Sequence, residues 1–503
     1  MTSRPPHIPI SVFGLFAIVL FLSALANYAG RGIVYIVFSV VLNTLLVSGF
    51  TKGRIYFDTF IGIFFWLGFW VKYSLRIAFL GGEFQAAELI GNFSGTGAEH
   101  DHSLIVASCG IVGLLIANFV RRKFIFSYAK IAEQDRLESI FTFYQENRRQ
   151  VLIMFLSLFV IIAVTNVLFG IYQRGSMPRT ILPFGLSGVY TWLLLFGLTS
   201  LSGVILDCEF RLKNNPYLVT VIGVLETFFS NVSMLSRGMI LNGGSLLIGL
   251  HDNAKKRSHH PGLRYKVLVF IIFITLFVSS VFVANHMRKH LFYSDFPATS
   301  SISKSIVLKS FKASILRLKE RIRILTGINL EFVDRWAEPV SEALAGVENL
   351  LVDRWVGIEG VMSVSTYHNL GWDLWKKAWQ EKYTRSGTSM YDLVILRSPF
   401  GELRNHHFIS LPGIVAFFYF PGSLPFLCFS MILLGLIAAG VELFVFKTSG
   451  ANIILCCVIG QVVAYRYAHF GYVPNQSYLL FGSIFLNVLI LYFLNKVLFK
   501  LSK

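Results

Sequence analysis

The chain has 503 residues, of which 54% are hydrophobic and only 14% charged, and its formal net charge is +18. A soluble globular chain carries about 25% charged residues. This composition, with a mean hydropathy of +0.63, therefore excludes an ordinary soluble enzyme, a disordered chain and a disulfide-stapled exterior scaffold.

Apolar runs of about 20 residues, long enough to cross a bilayer, recur from end to end. The sequence predicts an all-α polytopic integral membrane protein with about twelve transmembrane helices. In chain order the spans fall near 10–28, 32–50, 57–79, 103–120, 151–172, 181–206, 217–235, 238–250, 267–285, 424–446, 451–468 and 477–499. The first run is longer than the apolar core of a signal peptide and reads as an uncleaved span, although Ala24-Leu25-Ala26 mimics a cleavage site. The eighth is short and Gly-rich, and is expected to tilt or to break where Gly243 meets Gly244. A stretch at 411–421, bounded by Pro412 and Pro421, is too short to cross and reads as a re-entrant or interfacial piece. The chain thus divides into a bundle of nine spans (1–285), an exterior loop domain (286–410), and the re-entrant piece with the last three spans (411–503).

Basic residues collect on the cytoplasmic side of short loops. Lys52 and Arg54, then Arg121-Arg122-Lys123, then Lys255-Lys256-Arg257 all fall on one side of this span order, with Lys496, Lys500 and Lys503 at the C-terminus. Glu83, Glu88, Glu99 and Asp101 fall on the other. Both termini are expected in the cytoplasm, and the positive charge follows from this rule and from anionic lipid headgroups rather than from nucleic acid. The cysteines add little. Cys208 reads as a loop residue, Cys456-Cys457 as small apolar residues of a lipid-facing helix, and no metal-ligand spacing appears.

The segment 286–410 is the one large feature outside the membrane. Phe311, Ile315, Leu318, Ile322 and Leu325 recur at helical spacing with basic residues between them, an amphipathic helix suited to a membrane surface. Val340, Leu344, Val347 and Leu351 give a second helical pattern. Val333-Asp334-Arg335-Trp336 is echoed by Val352-Asp353-Arg354-Trp355. These are either two similar packing turns, or arginines for an anionic ligand with tryptophans for sugar faces. Gly357-Ile358-Glu359-Gly360 follows, placing a carboxylate near a guanidinium. The stretch 121–150 reads as a solvated helical connector.

Ionisable groups at membrane depth are costly and each is a functional candidate. Arg237, in Ser236-Arg237-Gly238 at an outward tip, can clamp a phosphate bidentately or snorkel to headgroups. Lys72 and Arg76, four apart on one face, can hold a diphosphate or snorkel. Glu226 and Glu442 read as bundle-stabilising, while Arg466 and His469 stand at an outer helix end as either interfacial or catalytic groups. The densest cluster closes the exterior segment: Arg397, Glu402, Arg404, Asn405, His406 and His407 offer a base and an anion clamp. His368 is a weaker candidate.

About twelve spans, the Ser236-Arg237-Gly238 turn and a long exterior loop before the last spans resemble the bacterial O-antigen and oligosaccharide repeat-unit polymerases, which are related to the O-antigen ligases. In the ligases that loop closes with a His-Asn pair followed by an apolar run and glycines. Here Asn405-His406-His407 precedes Phe408, Ile409, Leu411 and Gly413, with the order inverted.

The resemblance implies a metal-independent glycosyltransferase of the bacterial inner membrane, without cofactor, acting at the periplasmic face on undecaprenyl-diphosphate-linked glycans. It also implies a chain-length regulator protein as partner. It would assign Arg237, Arg354, Arg404, Arg335, Lys72 and Arg76 to the diphosphate, and His406, His407 or Glu359 to the acceptor proton. The rivals are a ligase to lipid A-core and a lipid-linked oligosaccharide flippase, although no internal repeat of spans favours transport. The metal-dependent glycosyltransferases are disfavoured because the first exterior loop holds no acid. An acyltransferase is disfavoured because no histidine falls within a predicted span.

Overall fold

The computed structural model describes residues 8–51, 53–79, 91–126, 128, 137–174, 178–212, 216–236, 238–256, 262–292, 355–382, 389–396 and 410–501. Every regular element among them is helical: α1 (Ile8–Asn27), α2 (Gly32–Ser48), α3 (Tyr56–Phe79), α4 (Gly97–Ile125), α5 (Glu138–Phe169), α6 (Pro183–Arg211), α7 (Tyr217–Ser233), α8 (Met239–Lys256), α9 (Leu263–Phe292), α10 (Ile358–Ser365), α11 (Trp372–Trp379), α12 (Gly413–Tyr419), α13 (Leu424–Thr448), α14 (Ile453–Ala468) and α15 (Ser477–Leu501). A backbone in hydrocarbon must satisfy its own hydrogen bonds, so apolar runs become helices there.

Each of the twelve segments read as a span coincides with a helix. Among the described residues seven are long and apolar enough to cross a membrane (α3, α4, α5, α6, α9, α13 and α15), and α1, α2, α7 and α14 are shorter apolar helices. The outward faces of α9 and α15 expose large apolar side chains such as Phe270, Phe282, Leu486 and Phe493, as a lipid-facing surface requires. The protein is a helical, membrane-embedded bundle.

The centre of the bundle is α14, in which every residue from Ile453 to Gln461 is buried. Cys456 and Cys457 are therefore core residues, not lipid-facing ones. At Gly249 of α8 a β-carbon would stand 2.9 Å from the Cα of Ile454 and from Cys457 Cβ, so the missing side chain lets α8 and α14 touch. The Gly243-Gly244 pair does not break α8, which runs unbroken across it; a β-carbon on Gly243 would meet the Phe273 ring of α9 at 2.6 Å. The glycine serves helix approach rather than a bend. Cys208, read as a loop residue, is buried near the end of α6.

Carboxylates stitch the helices away from the site described below. Ile55 brings no capping side chain to α3. Glu442 of α13 does so instead, accepting from the Tyr56 and Phe57 N–H at 2.8 and 2.9 Å and from the Tyr128 hydroxyl. Those N–H groups have no partner within the helix, and the helix dipole favours the negative charge. Glu226, fully buried, accepts from Thr199 (3.1 Å) and Ser230 (2.7 Å). Arg121 is not a solvated loop cation: it is 1% exposed and bonds Asp58 at 2.6 Å.

The described end of the 286–410 segment is built into the bundle. Ile358, Val361, Met362 and Val364 of α10 belong to the same core as α3, α4 and α14. Pairs of backbones meet there without side chains between them. A β-carbon on Gly357 would fall 1.9 Å from the Gly68 carbonyl oxygen, and one on Gly360 would fall 2.0 Å from that of Pro412. The short α12, at the stretch read as re-entrant, is also largely buried.

Candidate functional site

Six helix ends converge on one cavity: the C-terminal ends of α5, α7 and α14, and the N-terminal ends of α6, α8 and α15. The cavity has a volume of about 720 Å3, within the range of small-molecule sites. Its polar lining includes Gln173, Arg174, Asn231, Gln461, Arg466 and His469, with Tyr172, Tyr465 and Tyr472 beside them. Among the described residues that line it there is no carboxylate, so the cavity is positive.

Arg174 is placed by the turn that ends α5. Gly170 closes that helix in the left-handed conformation (φ +58°), the position where glycine carries no side-chain penalty. The chain then doubles back on the buried Asn166, whose amide oxygen accepts from the Tyr172 N–H at 2.8 Å. Its amide nitrogen donates to the carbonyls of Tyr172 (2.9 Å) and Ser233 (3.0 Å). The Arg174 N–H then donates to the Met234 carbonyl at 2.9 Å. One asparagine thus ties the α5 turn to the end of α7, and the guanidinium is delivered beside the turn that carries Ser236 and Gly238.

That second turn is tight. Leu235 has φ +53°, Ser236 N–H bonds the Asn231 carbonyl at 2.8 Å, and Gly238 N–H bonds the Ser236 hydroxyl at 3.0 Å. A β-carbon on Gly238 would stand 3.5 Å from Arg174 Nη1, an ordinary van der Waals contact. The tighter approaches, 3.0 Å to the Ser236 hydroxyl and 3.2 Å to the Asn231 amide oxygen, are what the glycine accommodates in the turn.

The opposite wall is α14, where Gln461, Tyr465 and His469 follow one another at four-residue spacing with Val462 and Arg466 alongside. The Tyr465 ring lies under Arg174, 5.6 Å from the guanidinium carbon, and stacks on His469 with centroids 4.1 Å apart. His469 Nδ1 lies 3.2 Å from the Tyr465 carbonyl oxygen. A carbonyl only accepts, so Nδ1 carries the proton and Nε2 is the basic nitrogen of the neutral ring. Arg466 donates to the Ser477 hydroxyl at 3.3 Å and packs over Phe470.

Trp355 connects this wall to the residues singled out in the sequence. Its ring meets His469 edge-on at 6.4 Å and stacks on Phe64 at 5.2 Å, while its carbonyl accepts from Lys72 Nζ at 3.3 Å. Lys72 also pairs with Glu359 at 2.8 Å, the two side chains 2% and 8% exposed. The residues read as a diphosphate ligand and as a base are therefore each other's partners, fixing α10 against α3 behind the cavity wall. Arg76, four residues on, is fully buried and does not line the cavity. His368 is exposed on the surface.

Arg237 lies outside the described residues, although its neighbour Gly238 lines the cavity. Arg335, Arg354, Arg397, Glu402, Arg404, Asn405, His406 and His407 lie outside them as well. Sequence reasoning passed over Arg174 altogether and left Arg466 and His469 undecided. The available signal was Asn166 and Gly170 closing an apolar helix just before a Tyr-Gln-Arg run. Comparison with protein families, with curated proteins and with solved structures finds no match.

Proposed function

We propose that the cavity binds a lipid-linked sugar diphosphate, and that the protein is a metal-independent glycosyltransferase joining such units into a polysaccharide at the outer face of a bacterial inner membrane. The single observation that carries this reading is that Arg174 and Arg466 both line a cavity at the bundle end whose described lining residues include no carboxylate. Fixed guanidiniums stabilise the charge that develops on a departing diphosphate, as oxyanion-hole donors do.

In this reading an acceptor hydroxyl oxygen attacks the anomeric carbon of the donor glycan. The bond from that carbon to the phosphate oxygen breaks, and the lipid diphosphate leaves against Arg174 and Arg466. The hydroxyl proton passes to His469 Nε2, while Tyr172 and Tyr472 offer flat faces to sugar rings. The Lys72–Glu359 pair supports the site from behind rather than touching substrate.

The test is to incubate the purified protein, in the presence of a chelator, with undecaprenyl-diphosphate-linked repeat units extracted from cells that produce it, and to resolve the products on a gel. A ladder is expected. Arg174→Ala or Arg466→Ala should each slow it about 10²–10³-fold, the usual cost of removing one such donor. Intact substrate and no ladder with folded protein would overturn the polymerase reading. Transfer of a single glycan to added lipid A-core would replace it with the ligase.

A further inference from the structure

Between α14 and α15 the cavity wall passes through a turn whose conformation its sequence disfavours. Val473 stands in the left-handed region (φ +43°, ψ +62°), is buried and precedes Pro474. A β-branched residue rarely occupies that region, and a residue before proline prefers an extended backbone. Such strain persists only where the surroundings over-determine it, and it gathers at functional sites. Here its neighbours belong to the cavity. Tyr472 lines it, and Ser477, which opens α15, accepts from Arg466 at 3.3 Å.

The group that holds this turn comes from outside the cavity lining. Glu381, half-buried just past α11, accepts from the Val473 N–H through Oε2 at 3.0 Å and from the Met390 N–H through Oε1 at 2.5 Å. One carboxylate thereby clasps the end of α11, the start of the Tyr391–Leu396 turn and the loop from α14 to α15. Both oxygens of an ionised carboxylate accept, so it serves the two N–H groups at once. On either side of the clasp the loop is fixed by its backbone. The Phe470 carbonyl accepts from the Gly413 N–H at 3.0 Å, and the Val473 carbonyl accepts from the Gln476 N–H at 2.9 Å.

We infer that Glu381 is a positioning residue: it holds Val473 in the left-handed turn and so keeps Tyr472 in the cavity wall and Ser477 against Arg466. The role rests on the function proposed above and deepens it, naming a residue outside the cavity on which that site depends.

Two measurements on the full-length protein in nanodiscs test this. Hydrogen exchange of the peptide covering 470–477 reads the clasp, and binding of undecaprenyl diphosphate reads the cavity. Glu381→Gln keeps the shape but offers one accepting oxygen and a donating amide, so it cannot serve both N–H groups. Exchange in 470–477 should rise, and affinity should fall about tenfold as fewer molecules hold the wall in place. Adding Val473→Gly should restore most of that affinity, because glycine enters the left-handed region without a steric penalty. A residue that merely stabilised the fold would give the opposite result, since the second substitution also empties a buried side-chain position.

A Glu381→Gln variant that binds like the wild type, or a double variant that binds more weakly than Glu381→Gln, overturns the positioning role and leaves the proposed function standing. Should Glu381→Gln alone misfold, the same substitution is read in the Val473→Gly background. Little further loss there supports the clasp, and a further tenfold loss overturns it. A wild-type protein that does not bind undecaprenyl diphosphate overturns the function itself, and the positioning role with it.

Discussion

At the scale of single residues, the Lys72–Glu359 pair shows how a charge that looks like a ligand becomes a fastener. Both side chains are almost fully buried and 2.8 Å apart, so each keeps the other from being an uncompensated ion in an apolar core. Removing one partner of such a pair costs about 3–5 kcal/mol, whereas replacing both with apolar groups is often near neutral. Lys72→Met alone and Glu359→Gln alone are therefore expected to lower the unfolding temperature in detergent markedly. The double variant Lys72→Met/Glu359→Leu should recover most of the loss. A double variant as damaged as the sum of the singles would instead give the two side chains independent roles, as direct ligands would have. No sequence pattern announces this pairing, because its members stand almost 300 positions apart and meet only when Gly357 admits α10 against Gly68.

At the scale of elements, the helices were legible because hydrocarbon leaves a backbone little alternative, and each predicted span falls on a helix. What joins the elements at their ends was not legible. The six ends around the cavity come from segments spread over 171–480, and the groups that aim them, Asn166 and Gly238 among them, have no periodic signature. The same holds for the strap at Tyr391–Leu396, a π-helical turn held by the buried Asp392, which accepts from the Ser389 hydroxyl at 2.7 Å and the Ser410 N–H at 3.1 Å. Burial pushes the Asp392 carboxyl above the ordinary range, with the bonds from Ser389 and Ser410 pulling it back down. A folded-state value above the unfolded one means that the unfolded chain ionises first. The contribution of the group is then fully present below the ordinary carboxylate range and is lost as pH rises through the raised folded value. The advantage of the wild type over Asp392→Asn in thermal unfolding should therefore be largest in acid and shrink toward neutral pH. An advantage that grows with pH would place a cation beside the carboxylate and reverse the electrostatics drawn here.

At the scale of the whole molecule, the position of the cavity decides what chemistry can reach it. Its lining comes from the C-terminal ends of α5, α7 and α14 and the N-terminal ends of α6, α8 and α15. That alternation is what successive membrane crossings produce, so all six ends share one face of the bundle. The same face carries residues 355–382, through the Trp355–His469 contact. The opposite ends carry the basic Lys255 and Lys256 of α8, and the excess of Lys and Arg in short loops marks a cytoplasmic side. The cavity is accordingly expected to open to the exterior, where a lipid-linked glycan would be met after it has crossed. On intact cells a membrane-impermeant maleimide should label Lys376→Cys, an exposed position on α11. It should label Lys255→Cys, exposed at the end of α8, only after the membrane is permeabilised; the wild-type chain with its own five cysteines serves as the background. The reverse pattern would open the cavity to the cytoplasm, where nucleotide-activated sugars rather than translocated lipid-linked chains are at hand, and would remove the ground for a polymerase however well the arginines are placed.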